Sequence, residues 1–304
     1  MIPDPSPAAA DDAAPPISAP WPDARPSPAD AAGPVDAGRR FGGIDRLYGA
    51  GALEALAGLH VVVAGIGGVG TWCVEALARS GAGALTLVDL DHIAESNINR
   101  QAHALGSTLG RSKVEAMAER VGDINPACAV RLIDDFVDAD NVAGILAVRP
   151  GPGILVDCTD QVPAKVAMVL AARAAHWPLI VCGGAGGKTD PLALRAGDLS
   201  QAVHDALLGR VRQVLRQRHG YPKGGAAGGK PSRRPARMGV SCLWFDQPAV
   251  LPSAWRGADG APAPAEAPQG LSCAGYGSAV AVTAAMGMAA ADRALRQGLA
   301  LAGL

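Results

Sequence analysis

The run His60-Val-Val-Val-Ala-Gly-Ile-Gly-Gly-Val-Gly70 constrains this chain more than any other stretch. Its β-branched start favours a buried strand, and the glycines that follow let the backbone turn sharply into a helix. The free N–H groups at the start of such a helix suit an anion. Gly65, Gly67, Gly68 and Gly70 therefore predict a loop that holds nucleotide phosphates. Asp89 lies 19 residues after Gly70, at the end of a second apolar run, where a carboxylate can bind a ribose hydroxyl. That much suits any dinucleotide enzyme. The segment after the acid, with Asp91, Asn99, Arg100 and Gln101, narrows the choice. An arginine beside phosphates serves chemistry at phosphorus, where charge develops, and hydride transfer has no need of it.

From His60 onward the pattern alternates strand and helix. Strands are expected over 60–66, 84–89, 129–134, 153–158 and 178–182, with helices near 69–80, 111–122, 138–147 and 161–175. This order predicts an α/β fold with a doubly wound, mostly parallel Rossmann-like sheet and a ligand at the C-terminal strand ends. A C-terminal α/β extension follows. It comprises an amphipathic helix over 199–218, a basic loop over 220–237, a strand over 240–245, a loop near 246–270 and a last helix from about Ser278. Residues 39–59 read as a helical lead-in with Leu47, Leu53 and Leu56 available to pack. Residues 1–38 are Pro, Ala and Asp with few large apolar side chains, which predicts a disordered tail and one folded unit over 39–304.

The net charge is only −1, but it is unevenly placed. Residues 210–237 hold nine Lys or Arg and no acid, a third of the 27 positive charges. Such a block suits the phosphates of an RNA, while a solvated loop is the plainer alternative. The six cysteines include no C-x-x-C pair, which argues against structural zinc, and several lie in apolar runs as reduced core thiols do. The N-terminal residues lack the basic and apolar regions of a secretory signal, so a cytoplasmic protein is expected. The uncharged run 274–291 is rich in small residues and reads as a buried helix rather than a membrane span.

Three further side chains carry chemistry. Lys113 falls near a helix start, where a cation opposes the helix dipole and implies an anionic ligand. Asp157 and Asp160 close the fourth strand, and carboxylates beside phosphates suit Mg²⁺. Asp160 could equally cap the next helix.

The motifs Gly65-x-Gly-Gly-x-Gly70, Asp89-x-Asp91, Asn99-Arg-Gln101, Lys113 and Asp157-x-x-Asp160, in this order, resemble the ThiF/MoeB-like branch of the ubiquitin-activating-enzyme superfamily. Those enzymes adenylate a carboxylate with ATP and Mg²⁺. Five more segments look like the bacterial tRNA threonylcarbamoyladenosine dehydratases: 40–49, 182–191, 238–242, 271–273 and the small-residue helix beyond. The resemblance spans about 39–298. It implies that Gly65–Gly70 hold the phosphates, with Asp89 and Asp91, Asn99 and Gln101 completing the nucleotide site. Arg100 and Lys113 would stabilise charge at the α-phosphate, and Asp160 would hold Mg²⁺. It also implies a homodimer, tRNA bound through 210–237, and Cys242 as a candidate sulfur acceptor from a cysteine desulfurase. A buried core thiol is the alternative for Cys242, and Cys273 is a weaker candidate. Where related activators place an arginine supplied across the dimer, this chain has Gly42-Gly43 after Arg40-Phe41, so that role is empty or taken by Arg46. The implied reaction is ATP-dependent dehydration of the modified adenosine beside the tRNA anticodon. Activation of a ubiquitin-like sulfur carrier would use the same ATP residues, but the zinc cysteines of those activators are missing. A non-catalytic sulfur-relay role is the third alternative.

Overall fold

The structure, a computed structural model, describes residues 36–147, 153–223, 236–251 and 276–304. The expected tail, except its last three residues, lies outside these, as do Arg233, Arg234, Cys273 and most of the loop 246–270.

Three short helices open the fold: α1 (Ala37–Phe41), α2 (Gly43–Tyr48) and α3 (Ala52–Ala57). Asp36 caps α1 by accepting the Arg39 N–H at 3.0 Å, so the helical lead-in starts slightly before the expected residue 39. Leu56 is buried in the core, whereas Leu47 points to solvent.

Then come β1 (His60–Ala64), α4 (Gly70–Arg79), β2 (Ala84–Val88), α5 (Lys113–Ile124), β3 (Ala129–Ile133), α6 (Val142–Leu146), β4 (Gly153–Asp157), α7 (Val162–Ala174) and β5 (Leu179–Cys182). The chain ends with β6 (Leu194–Asp198), α8 (Ala206–Arg218), β7 (Ser241–Phe245) and α9 (Val280–Leu301).

The sheet order is β3-β2-β1-β4-β5-β7-β6, parallel except for β6 against β7. The doubly wound α/β fold is as expected. Every residue of β1 is buried, with β2 on one side and β4 on the other. Its alternating side chains serve two cores. Val61 and Val63 pack with α4, α5 and α9 on one face, and Val62 and Ala64 with α6 and α7 on the other.

The chain leaves β1 towards β2 and β3, then returns to place β4 on the far side of β1. Ligands bind at this reversal point, beyond the C-terminal strand ends. Ala64 and Asp157 lie side by side there, so the loops after β1 and β4 face each other.

The extension differs from the sequence reading. The strand β6 is an addition to it, because Leu194-Arg-Ala-Gly-Asp198 lacks alternating burial and has a central glycine. It forms as an antiparallel edge on β7. The helix expected from Leu199 starts at Ala206, after a 3-10 turn at Leu199–Gln201 and a break in which His204 takes φ +56°. Val203, inside the span expected to be helical, is exposed in that break.

The small-residue run becomes α9, which packs along α4 with Val282, Met286, Ala290 and Ala294 buried. Gly287 permits this approach, since a Cβ there would overlap the Val69 carbonyl. Among the described residues, no helix is long and apolar enough to cross a membrane.

Candidate active site

A cleft of about 560 Å³ opens at the β1/β4 reversal, within the usual range for small-ligand sites. Its floor is the glycine loop. Gly65 takes φ +85°, and a Cβ at Gly70 would overlap the Gly65 carbonyl, so this turn closes only with glycines. Gly68 lies under the aliphatic part of Arg100, where an added Cβ would sit 3.3 Å from Arg100 and Thr283 carbons. The backbone is left bare towards the cleft, as phosphate binding requires.

Asp89 ends the second strand and braces the loop. Its Oδ2 accepts the Ile66 N–H at 2.6 Å and its Oδ1 the Asp91 N–H at 2.9 Å. Burial pushes its carboxyl up, opposed by the charge of Lys113 and by these N–H groups. Lys113 is the first residue of α5 and is buried, so it is no solvated surface lysine. Its Nζ donates to Asp91 Oδ2 at 2.6 Å, which offsets the unfavourable helix-end position.

Arg100 is held at several points. Its Nη1 donates to the Ser96 carbonyl at 2.7 Å and to Asn99 Oδ1 at 3.0 Å, and Trp72 Nε1 donates to its carbonyl at 2.9 Å. Gln101 lines the cleft, and its buried Oε1 has no hydrogen-bond partner among the described residues. Asn99 is placed otherwise. Its Nδ2 donates to the Ser278 carbonyl at 2.9 Å, and the asparagine lining the cleft is Asn97.

The two acids at and just beyond the end of β4 separate. Asp160 is exposed and lines the cleft. It does not cap α7, whose N-cap position is Gln161. Asp157 is fully buried beneath the rim. Its Oδ1 takes Lys165 Nζ at 3.0 Å and the N–H and hydroxyl of Thr159 at 3.0 and 2.8 Å. Asp157 is thus a structural ion-pair partner and not a second metal ligand. Among the described residues, no group of three or more His, Cys, Asp or Glu could hold a metal on its own.

Cys242 sits fully buried on β7 among Leu208, Val211 and Trp244, away from the cleft. Burial pushes its thiol up to about 12, which disfavours the thiolate that sulfur transfer needs. The fold gives it the surroundings of a core residue. Arg46 is exposed on α2 and does not line this cleft. The lining residues Asn97, Phe136, Thr159, Leu207 and Thr283 carry no sequence signal of their own, because tertiary packing alone brings their loops and helices together.

The basic block divides into two parts. Arg212 donates to the carbonyls of Leu199 and Ala202 at 3.1 and 2.7 Å, and Arg216 to that of Pro222 at 2.9 Å. These two arginines fasten α8 and the start of the basic loop. Asp198 fastens its end by accepting the N–H groups of Met238 and Gly239 at 2.9 and 2.7 Å. Arg210, Arg218, Lys223 and Arg237 are exposed.

Residues 43–296 match the model of the ThiF family. The chain is 41% identical over 265 residues to the tRNA threonylcarbamoyladenosine dehydratase of Escherichia coli (strain K12), covering 87% of this chain and 95% of that one. The fold is similar to crystal structures of the E. coli tRNA N6-threonylcarbamoyladenosine dehydratase with AMP and with ATP. Both give a TM-score of 0.74 at 38% identity, covering 88% of this chain and 98% of theirs. With this cleft and these relatives, the chain belongs to the ThiF family.

Proposed function

We propose that the protein is an ATP-dependent tRNA threonylcarbamoyladenosine dehydratase. The observation that carries this reading is that two immobilised cations, Arg100 and Lys113, line one cleft with the glycine loop and Asp160. That arrangement suits attack on a nucleotide phosphate. The similarity to the E. coli dehydratase over nearly its whole length supports the substrate.

The threonyl carboxylate of the modified adenosine attacks the α-phosphate of ATP. A carboxylate O–P bond forms, the bond to the β-phosphate bridging oxygen breaks and pyrophosphate leaves. Arg100 and Lys113 face the charge that builds up on phosphorus. An atom of the carbamoyl arm then attacks the activated carbonyl, AMP departs and a ring closes, with net loss of water from the nucleoside. Closure is intramolecular, so a high effective molarity replaces an enzyme nucleophile. This fits the burial of Cys242, which gives no support to a sulfur-relay role.

Mg²⁺ fits the donor set, because Asp160 offers one exposed carboxylate and the ion usually keeps waters and phosphate oxygens as its other ligands. When bound, it would neutralise phosphate charge. The exposed Arg210, Arg218, Lys223 and Arg237 would carry tRNA phosphates. A cytoplasmic homodimer belongs to the same proposal, and light scattering of the purified chain would test the dimer.

The decisive experiment incubates the protein with ATP, Mg²⁺ and tRNA bearing threonylcarbamoyladenosine, followed by nucleoside mass spectrometry. Loss of one water, dependent on ATP and abolished in Arg100→Ala, is expected. An unchanged nucleoside from ATP-binding protein would overturn the reading.

A further inference from the structure

Gly183–Ala185 form part of the cleft wall, and Asp205 holds this segment. Asp205 Oδ2 accepts the Gly184 N–H at 2.9 Å, while its Oδ1 accepts the Leu208 N–H at 2.9 Å and caps α8. One carboxylate therefore spans from the cleft wall to the first turn of α8. Gly183 has no room for a side chain, since a Cβ would overlap Asp205 Oδ2.

Burial pushes the Asp205 carboxyl up, and the charges of Lys165 and Lys188 oppose that shift. Both lysines are themselves anchored to the surrounding backbone. Lys165 Nζ donates to the Cys182 carbonyl at 2.7 Å, just before the wall. Lys188 Nζ donates to the carbonyls of Gln247 and, at 2.7 Å, His204. Two acids, Asp157 and Asp205, and two lysines thus lie behind one glycine wall.

The other end of α8 reaches the basic loop. Leu207, in the first turn, lines the cleft. Thirteen residues, about 20 Å of helix, lead to Arg218, and Arg216 fixes Pro222 beyond it.

We propose that Asp205 is a positioning residue that holds the nucleotide in the cleft and the RNA on α8 in one register. The proposal rests on the dehydratase reading above. The reaction needs a carboxylate oxygen of one substrate in line with a phosphorus of the other, and a displacement of about 1 Å can lower the rate about 100-fold. The glycine loop and the exposed cations bind each substrate without Asp205. The strap fixes how the two sites sit relative to each other.

Asp205→Asn tests this, because Asn remains a good helix cap but turns an N–H₂ group towards one of the two N–H donors. Asp205→Ser is the second variant, keeping a capping hydroxyl too short to span both groups. For each, the Tm, the separate Kd values for an ATP analogue and the modified tRNA, and kcat at saturation of both are measured.

Expected are a Tm lower by several degrees, because a buried donor loses its acceptor, and, at a temperature where wild type and variants are all fully folded, Kd values within about two-fold of wild type and kcat lower by about 10- to 100-fold. An unchanged kcat would overturn the proposal, as would a loss of kcat that only tracks lost stability or binding. A wild-type protein that binds ATP but turns over no modified tRNA would overturn the dehydratase reading, and the register with it. Turnover by the wild type with equal turnover by both variants would overturn the register alone.

Discussion

Lys165 and Asp157 meet 3.0 Å apart with neither side chain exposed. Burial pushes the Asp157 carboxyl up, and the Lys165 charge and the Thr159 donors work against that. Removing one partner leaves the other buried and uncompensated, so Lys165→Met should lower stability by about 3–5 kcal/mol. Urea unfolding checks this, and the double variant Lys165→Met, Asp157→Leu should recover part of the loss. His103 is buried too, with its Nε2 3.0 Å from the Ile66 carbonyl and its Nδ1 without a partner among the described residues. Burial pushes its pKa down to about 4, and the nearby Lys113 and Arg120 charges add to that, against the bond to Ile66. Between about pH 6.5 and about 4 the unfolded chain therefore binds the proton that the folded chain refuses. Stability should fall as pH falls through this window, by on the order of 3 kcal/mol in all from this group. His103→Gln should flatten that slope in unfolding free energies measured from pH 4 to 7.

Among the elements, the packing of α9 on α4 is sensitive to side-chain size. Gly287→Ala would place a Cβ against the Val69 carbonyl and 2.8 Å from Trp72 Cβ. Overpacking of this kind should cost about 1–3 kcal/mol in urea unfolding. It should also raise KM for ATP, because Thr283 lines the cleft one turn earlier on the same helix. The elements differ in how far they are legible in advance. The strands β1, β2 and β4 are buried apolar runs bounded by glycines or acids, so their hydrophobic pattern stands out locally. The strand β6 depends on pairing with β7, some forty residues later, and its own residues carry no period. The start of α8 is hidden in the sequence because the apolar spacing runs on through Leu199 and Val203, while the true start is set by the Asp205 cap.

For the whole molecule, the separation of structural from exposed cations predicts how RNA binding responds to mutation. Charge reversal of Arg237 together with Arg233 and Arg234 should weaken tRNA binding and leave ATP affinity unchanged. The log–log salt slope should fall by about 0.7–0.9 for each phosphate that the variant no longer neutralises. Filter binding at several salt concentrations reads both. Arg212→Ala and Arg216→Ala should act chiefly through stability, seen as a lower Tm. Asp160→Asn should raise the Mg²⁺ concentration for half-maximal turnover while the fold is kept, because this carboxylate is exposed at the cleft. The sequence alone determined the strand–helix alternation, the glycine loop and the order of Asp89, Arg100, Lys113 and Asp160, since hydrophobic period and glycine spacing are local properties of the chain. Tertiary structure alone decided that Asp157 is neutralised by Lys165 while Asp160 stays exposed, that Cys242 is core, and that Asn97 and Thr283 join the cleft. Those outcomes depend on burial and on partners distant in sequence, and the free energy of a charged or polar group is set by the groups that surround it after folding.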